Sequence, residues 1–218
     1  MFIPSEHIDR FFRMMNESAV DYVLIKNVNN ELPSGLLDGK DIDIVVAPQC
    51  KTRFERTMQN NDYRAHTNPF GKANGWNFAY GLQEYQFWKK EGIPGDLYID
   101  ASFALCCKSL TPNIWIPLDG FINETIWKNR IFDDALNCWR MDDKNLLLYL
   151  LVRCIFDKRN FTAAYISDIE KLKHLFMDDY VRKAMNLVFF AFAPNLIDLV
   201  SRGRYESILT EHLSFSEY

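Results

Sequence analysis

Residues 39–46 read Gly39-Lys40-Asp41-Ile42-Asp43-Ile44-Val45-Val46. The β-branched run predicts a strand over Asp41–Val46, stopped by Pro48. Side chains alternate along a strand, so Asp41 and Asp43 share one face, and Ile42, Ile44 and Val46 share the other. Carboxylates two residues apart stand about 6 Å from each other. At an effective dielectric near 20 they repel by roughly 3 kcal/mol. An apolar strand built for stability alone would not carry that pair. A divalent cation removes the repulsion, and an all-oxygen donor set suits Mg²⁺. A solvated turn or strand end also accommodates an Asp-x-Asp triplet, so the metal reading needs a third ligand.

Asp100 supplies a candidate. It sits in Leu97-Tyr98-Ile99-Asp100-Ala101-Ser102-Phe103, with apolar residues on both sides. An isolated Asp there is costly unless it is paired or metal-bound. A backbone cap or an Arg partner is the simpler alternative. Asp96 has the same parity, but it follows Pro94-Gly95 and is expected at the mouth of the strand, so Asp100 is preferred.

Around these segments the chain alternates strand and helix signals. Ser5 is read as an N-cap, followed by Ile8, Phe11, Phe12 and Met15 at helical spacing. Asp21–Lys26 reads as a buried strand, 27–40 as a polar connection, and Lys51–Asn60 as a helix. From Tyr63 to Cys107 the text is strand-like, with turns at Gly71, Gly75, Gly81 and residues 93–95, and a clear strand at Asp96–Cys106. Trp76, Phe78, Tyr80, Tyr85, Phe87 and Trp88 form an aromatic stretch, read first as sheet packing and second as a platform for a sugar ring.

Past Leu118 helices dominate. Asp142 or Asp143 caps LLLYLLVRCIFDK, which is apolar nearly all round and is expected to be buried. Ala163–Met177 is amphipathic, and Val181–Ala193 is separated from Asn195–Ser201 by Pro194. Arg153 and Lys158 interrupt the apolar run. Asp157 offers Arg153 a partner at i+4; the alternative is that Arg153 or Lys158 faces a cleft and clamps a phosphate. Tyr165 is read as core, with stacking on a base or sugar as the alternative. The predicted architecture is α/β (α+β), a mixed sheet with flanking helices over 1–118 and an all-helical domain over 119–218.

Composition narrows the function. The 218 residues carry 25 Lys and Arg against 29 Asp and Glu, a formal charge of −4, with no basic block. Sequence-independent nucleic-acid binding needs a basic footprint, so no nucleic acid is expected. The longest apolar runs, Leu146–Val152 and Leu187–Ala193, fall short of a membrane span. No secretion signal is visible in 1–13, and five cysteines without CxxC spacing suggest neither a disulfide scaffold nor structural zinc. The expected location is cytoplasmic. The apolar C-terminal helices suit burial within the domain or against a partner subunit.

On these residues the sequence resembles the DNA polymerase β-type nucleotidyltransferase superfamily. That superfamily carries a helix, a strand ending in a small-residue turn, a strand with an Asp-x-Asp pair, and a third carboxylate on a later strand. The matching stretches are Ile8–Met15, Tyr22–Asn27, Asp41–Val46 and Leu97–Phe103. More narrowly, YVLIKNVNNELPSGLLDGKDIDIVV and LLLYLLVRCIFDKRNF resemble bacterial nucleotidyltransferase-like proteins, many of them encoded near surface-polysaccharide genes.

The resemblance implies two-metal nucleotidyl or phosphoryl transfer. Asp41, Asp43 and Asp100 would be metal ligands and catalytic groups, with Mg²⁺ or Mn²⁺ as cofactor. The donor would be a nucleoside triphosphate or a nucleotide-activated compound, and the acceptor a small molecule, a sugar or a polysaccharide intermediate. LicD-like phosphocholine transferases share the broad fold, so the transferred group need not be a nucleotide. Lys26, Asn27, Lys40, Arg153 and Lys158 are the candidate donor-binding residues. The Gly-Ser turn that cradles triphosphate in the family is replaced here by Lys26-Asn27. That departure favours a second reading, a binding or regulatory protein that keeps the fold and not the chemistry. A toxin–antitoxin-type transferase ranks third.

Overall fold

The structure is a computed structural model and describes residues 2–65, 77–78, 85–111 and 114–217. The elements begin with β1 (Phe2–Ile3), α1 (Ser5–Glu17), β2 (Tyr22–Leu24), β3 (Leu36–Leu37), β4 (Asp41–Val46), α2 (Lys51–Asn60) and β5 (Tyr63–Ala65). They continue with β6 (Asn77–Phe78), β7 (Gln86–Lys90), β8 (Leu97–Ser102), β9 (Cys106–Lys108), β10 (Ile114–Pro117) and α3 (Gly120–Asn129). β11 (Ile131–Asp133) and β12 (Cys138–Arg140) precede α4 (Asp143–Val152), which runs into a π-helical turn at Arg153–Lys158. α5 (Ala163–Leu172), α6 (Asp179–Phe189), α7 (Ala193–Ser201) and α8 (Tyr205–Ser214) complete the chain.

Strand β4 is central. The main sheet has the order β11-β12-β2-β4-β8-β7-β5, with β4 antiparallel to β2 and parallel to β8. Alternation divides its faces. Ile42, Ile44 and Val46 of β4, with Tyr22 and Leu24 of β2 and Ile99 of β8, pack against Phe11, Phe12 and Met15 of α1 and Phe54 and Met58 of α2. Each such buried side chain contributes roughly 1.5–3 kcal/mol. Val23 and Val45 point the other way, into a core shared with α4 to α8. Asp41, Asp43 and Asp100 have the parity of that second face, the one the C-terminal helices cover.

Several expectations need correction. Ser5 is the first residue of α1 and not its N-cap; Pro4 occupies the cap, and no side chain closes it. The stretch 119–218 is not helical throughout. The β11–β12 hairpin joins the sheet through Arg140 beside Leu24, and the amide N–H of Met141 donates to Leu24 O at 3.1 Å. The helices that follow one another without a strand begin only at Asp143. The expected strand Asp96–Cys106 is two strands, β8 and β9. The expected turns at Gly71, Gly75 and Gly81 lie outside the described residues, as do Trp76, Tyr80 and the Phe78 ring.

Asp179–Ser201 has the length and mean hydropathy, 1.5, of a membrane-crossing helix. It is broken at Phe190, where φ is +50°, and its Val181, Met185, Phe189, Phe192, Leu196 and Val200 are buried in the core. The break precedes the one expected at Pro194, which lies in the first turn of α7, where its missing N–H costs no helical bond.

Candidate active site

The parallel β4–β8 register sets Asp43 beside Asp100, one step from Asp41 beside Tyr98. One carboxylate oxygen from each of Asp41, Asp43 and Asp100 lies within 4.8 Å of the others. Asp43 is buried at 4% exposure, Asp100 is half-buried, and Asp41 opens to solvent at the strand end. Asp96 stays outside the group and pairs with Lys89 at 2.8 Å.

Proximity separates the acids. Burial first, then the charges of Asp41 and Asp43, push the Asp100 carboxyl up to about 9. Asp41 behaves oppositely. Desolvation works against its charge, but Lys26 and a hydrogen bond from Asp100 hold it below the usual carboxylate range. At neutral pH Asp100 therefore keeps its proton and donates a hydrogen bond to the Asp41 carboxylate.

Cations close the group. Lys26 follows β2, and its Nζ stands 2.5 Å from Asp43 Oδ2. The approach is off the hydrogen-bonding direction, and Asp43 Oδ2 is buried without a hydrogen bond. Burial, the largest influence, opposes the Lys26 charge, yet Asp43 together with Asp41 and Tyr165 leaves the Lys26 pKa raised. Arg153 sits in the π-helical turn, a distortion common at functional sites. Its Nη1 donates to Asp157 Oδ2 at 2.8 Å, and its Nη2 stands 4.0 Å from Asp43 Oδ1. Its Nε is buried without a hydrogen bond. The helix-partner reading of Arg153 holds through Asp157; the residue also approaches Asp43, but it is buried and does not line the cleft beside Asp41 and Asp43. Asp157 Oδ1 accepts from the Lys108 N–H at 2.8 Å, which ties the turn to β9. The Lys158 pKa is lowered by desolvation and by Arg153 and Lys26, which places its ammonium in the field of the same group.

The remaining expected residues are committed locally. Lys40 turns to Glu31, with Nζ 2.5 Å from Oε2. The Asn27 side chain donates to Asn30 Oδ1 at 3.0 Å and accepts from the Leu32 N–H at 3.2 Å, so it holds the 27–32 loop. Both still line a cleft of about 310 Å³, with Lys26, Asp41, Asp43 and Tyr165. Tyr165 is buried and belongs to the core.

Sequence reasoning named Tyr85 and Phe87 within the aromatic stretch without placing them at the acids, and missed Tyr149. Phe87 of β7 pairs with Asp100 in register on the same face, and Tyr85 stacks on it at 5.8 Å. Tyr149 is buried within reach of the Arg153 charge. The parity of Phe87 within the aromatic stretch was the available signal, but the register that brings it to Asp100 is not local. Trp88, one residue on, faces away and packs edge-on against Phe54.

The group fits a hard divalent cation. All three candidate ligands are oxygens, and the buried Asp43 Oδ2 has acceptor capacity that no hydrogen bond uses.

No family model and no curated protein matches the chain. Among solved structures, that of the antibiotic-resistance factor ANT(2'')-Ia, reported with substrate-regulated conformational dynamics, is similar over 97% of this chain and 96% of its own. The identity is 8% and the TM-score 0.41.

Proposed function

We propose that this chain is a Mg²⁺- or Mn²⁺-dependent transferase that moves a nucleotidyl or phosphoryl group from a nucleotide-type donor to a hydroxyl of a small acceptor. The observation that carries the reading is the convergence of Asp41, Asp43 and Asp100 from adjacent parallel strands within 4.8 Å, beneath cationic residues of the helical part. The sequence resemblance points to the same three positions. Asp41 and Asp43 would hold the cation, with Asp100 as the third ligand. The cation would offset phosphate charge and stabilise the attacking and leaving oxygens.

The protein groups divide the remaining work. Arg153 beside Asp43, and Lys158 in the field of the same acids, would add positive charge behind the carboxylates, where a phosphate-bearing donor needs it. Asp100 holds a proton at neutral pH without the cation, and would orient an acceptor hydroxyl, or take its proton, only after cation binding has expelled that one. Phe87 beside Asp100, with Tyr85 stacked on it, offers an aromatic wall suited to a sugar ring. A sugar or surface-polysaccharide intermediate is therefore the acceptor class proposed, in a cytoplasmic setting.

Calorimetry with Mg²⁺ and a panel of nucleotides tests the reading. Mg²⁺-dependent nucleotide binding is expected, with its loss in Asp41→Asn/Asp43→Asn. Unchanged binding in the double variant removes the assignment. Products from labelled donors then distinguish nucleotidyl from phosphoryl transfer. A second reading, a binding protein without catalysis, is favoured by one contact, Lys26 against Asp43; it predicts nucleotide binding without product.

A further inference from the structure

We propose that Lys26 is the built-in counter-cation of Asp43, and that a divalent cation enters the Asp41–Asp43–Asp100 group by displacing it. The inference rests on the metal reading above and adds a competition inside the site.

The geometry carries it. Lys26 Nζ stands 2.5 Å from Asp43 Oδ2, closer than the Arg153 Nη2 at 4.0 Å from Oδ1. Asp43 Oδ2 is buried and forms no directed hydrogen bond, so its charge is answered on that side by the ammonium alone among the described residues. A divalent ion ligated by the same oxygen would stand within about 4 Å of that ammonium. At that range like charges repel strongly even at an effective dielectric of 20. Both cannot keep their contact with Oδ2.

The second observation is Arg153. It is 7% exposed, its Nε has no hydrogen bond, and its Nη2 stands 4.0 Å from the other Asp43 oxygen. A fixed guanidinium therefore remains when Lys26 leaves. Lys26 has room to leave. It lines both the 310 Å³ cleft and a neighbouring one of about 220 Å³ bordered by Asn30 and Arg140. Its stem has four rotatable carbons, and the ammonium keeps its own protons as it moves. The displaced ammonium then faces the cleft, where an anionic donor would pair with it. Cation and anion binding are thereby coupled: the ion alone binds weakly and frees the group that receives the anion.

The test is Mn²⁺ titration of the full chain, with free ion followed by electron paramagnetic resonance, for wild type, Lys26→Met and Lys26→Gln. At least tenfold tighter Mn²⁺ binding is expected in both variants. In wild type, labelling of Lys26 by a water-soluble N-hydroxysuccinimide ester, read by peptide mass spectrometry, is expected to rise at least threefold at saturating Mn²⁺. Equal or weaker binding in the variants, with Mn²⁺ still bound by wild type, overturns the displacement and leaves the metal reading standing. Absence of Mn²⁺ binding in all three proteins overturns both. Should neither variant fold, unchanged Lys26 labelling in Mn²⁺-saturated wild type overturns the displacement.

Discussion

Asp43 and Asp100 are register partners across the parallel β4–β8 pair, two carboxyls side by side on one face of the sheet. Like charges directly opposite each other destabilise a sheet, and the protein answers by leaving Asp100 protonated. A group whose folded pKa is raised favours folding most below its unfolded value, near 4. That contribution is lost as pH rises toward about 9, because the unfolded chain ionises first. In chelator, Asp100→Asn is expected to stabilise the protein at pH 7 by about 1–3 kcal/mol, the scale of a relieved buried polar group. The gain should grow between pH 5 and 9 and level off above. Urea unfolding across that range measures it. The same variant should lose the transferase activity proposed above.

Metal affinity should depend on pH through the same proton. Ligation by Asp100 needs the carboxylate, so binding expels the proton that Asp100 shares with Asp41. Mn²⁺ affinity is expected to rise with pH up to about 9, by at most about tenfold per unit. Calorimetry in buffers of different ionisation enthalpy should show close to one proton released at pH 7. Asp100→Asn should release none.

The sequence disclosed the site where the signal was local, and concealed it where pairing was distant. Asp41–Val46 was readable because alternation within six residues is enough to place two acids on one face. Asp100 was readable because it is a lone acid among apolar neighbours. The contact of Lys26 with Asp43 was not, because it depends on β2 lying beside β4. Nor was the hairpin at Ile131–Arg140, whose three-residue strands mean little until Leu24 is beside Arg140. Pro194 misplaced the break in the C-terminal helices, because a proline in a first turn breaks nothing and the real discontinuity is a conformation at Phe190. Arg153 was posed as a choice between pairing with Asp157 and facing a cleft; the Asp157 pairing was legible from the i+4 spacing, while its approach to Asp43 depends on how the helices pack on the sheet.

The loop that frames the cleft depends on Gly35. Its φ is +114°, in the region that favours glycine. A Cβ there would meet the Phe2 ring and stand 2.6 Å from Ile3 O, which is backbone and cannot turn aside. Gly35→Ala is expected to cost about 2–3 kcal/mol, read as a fall in the midpoint of thermal unfolding. The strain falls on the β1–β3 pair and on the 27–40 connection that carries Glu31 and Lys40. Faster hydrogen exchange in that connection should accompany the loss.

Arg153 joins the helical part to the sheet at the site. It answers Asp157 on its own turn and Asp43 on β4, and all three are almost fully withdrawn from solvent. Removing one member of such a group leaves the others uncompensated. Arg153→Met is therefore expected to destabilise the protein by about 3–5 kcal/mol. Asp157→Asn should cost less, because an amide oxygen can still accept from the Lys108 N–H. Removing both charges, in Arg153→Met/Asp157→Asn, should cost less than the two single losses added together, since each single variant strands a charge that the double variant removes. A chemical-denaturation double-mutant cycle measures the difference. Strict additivity would mean that the 2.8 Å contact is energetically idle, and that Arg153 is held for Asp43 alone.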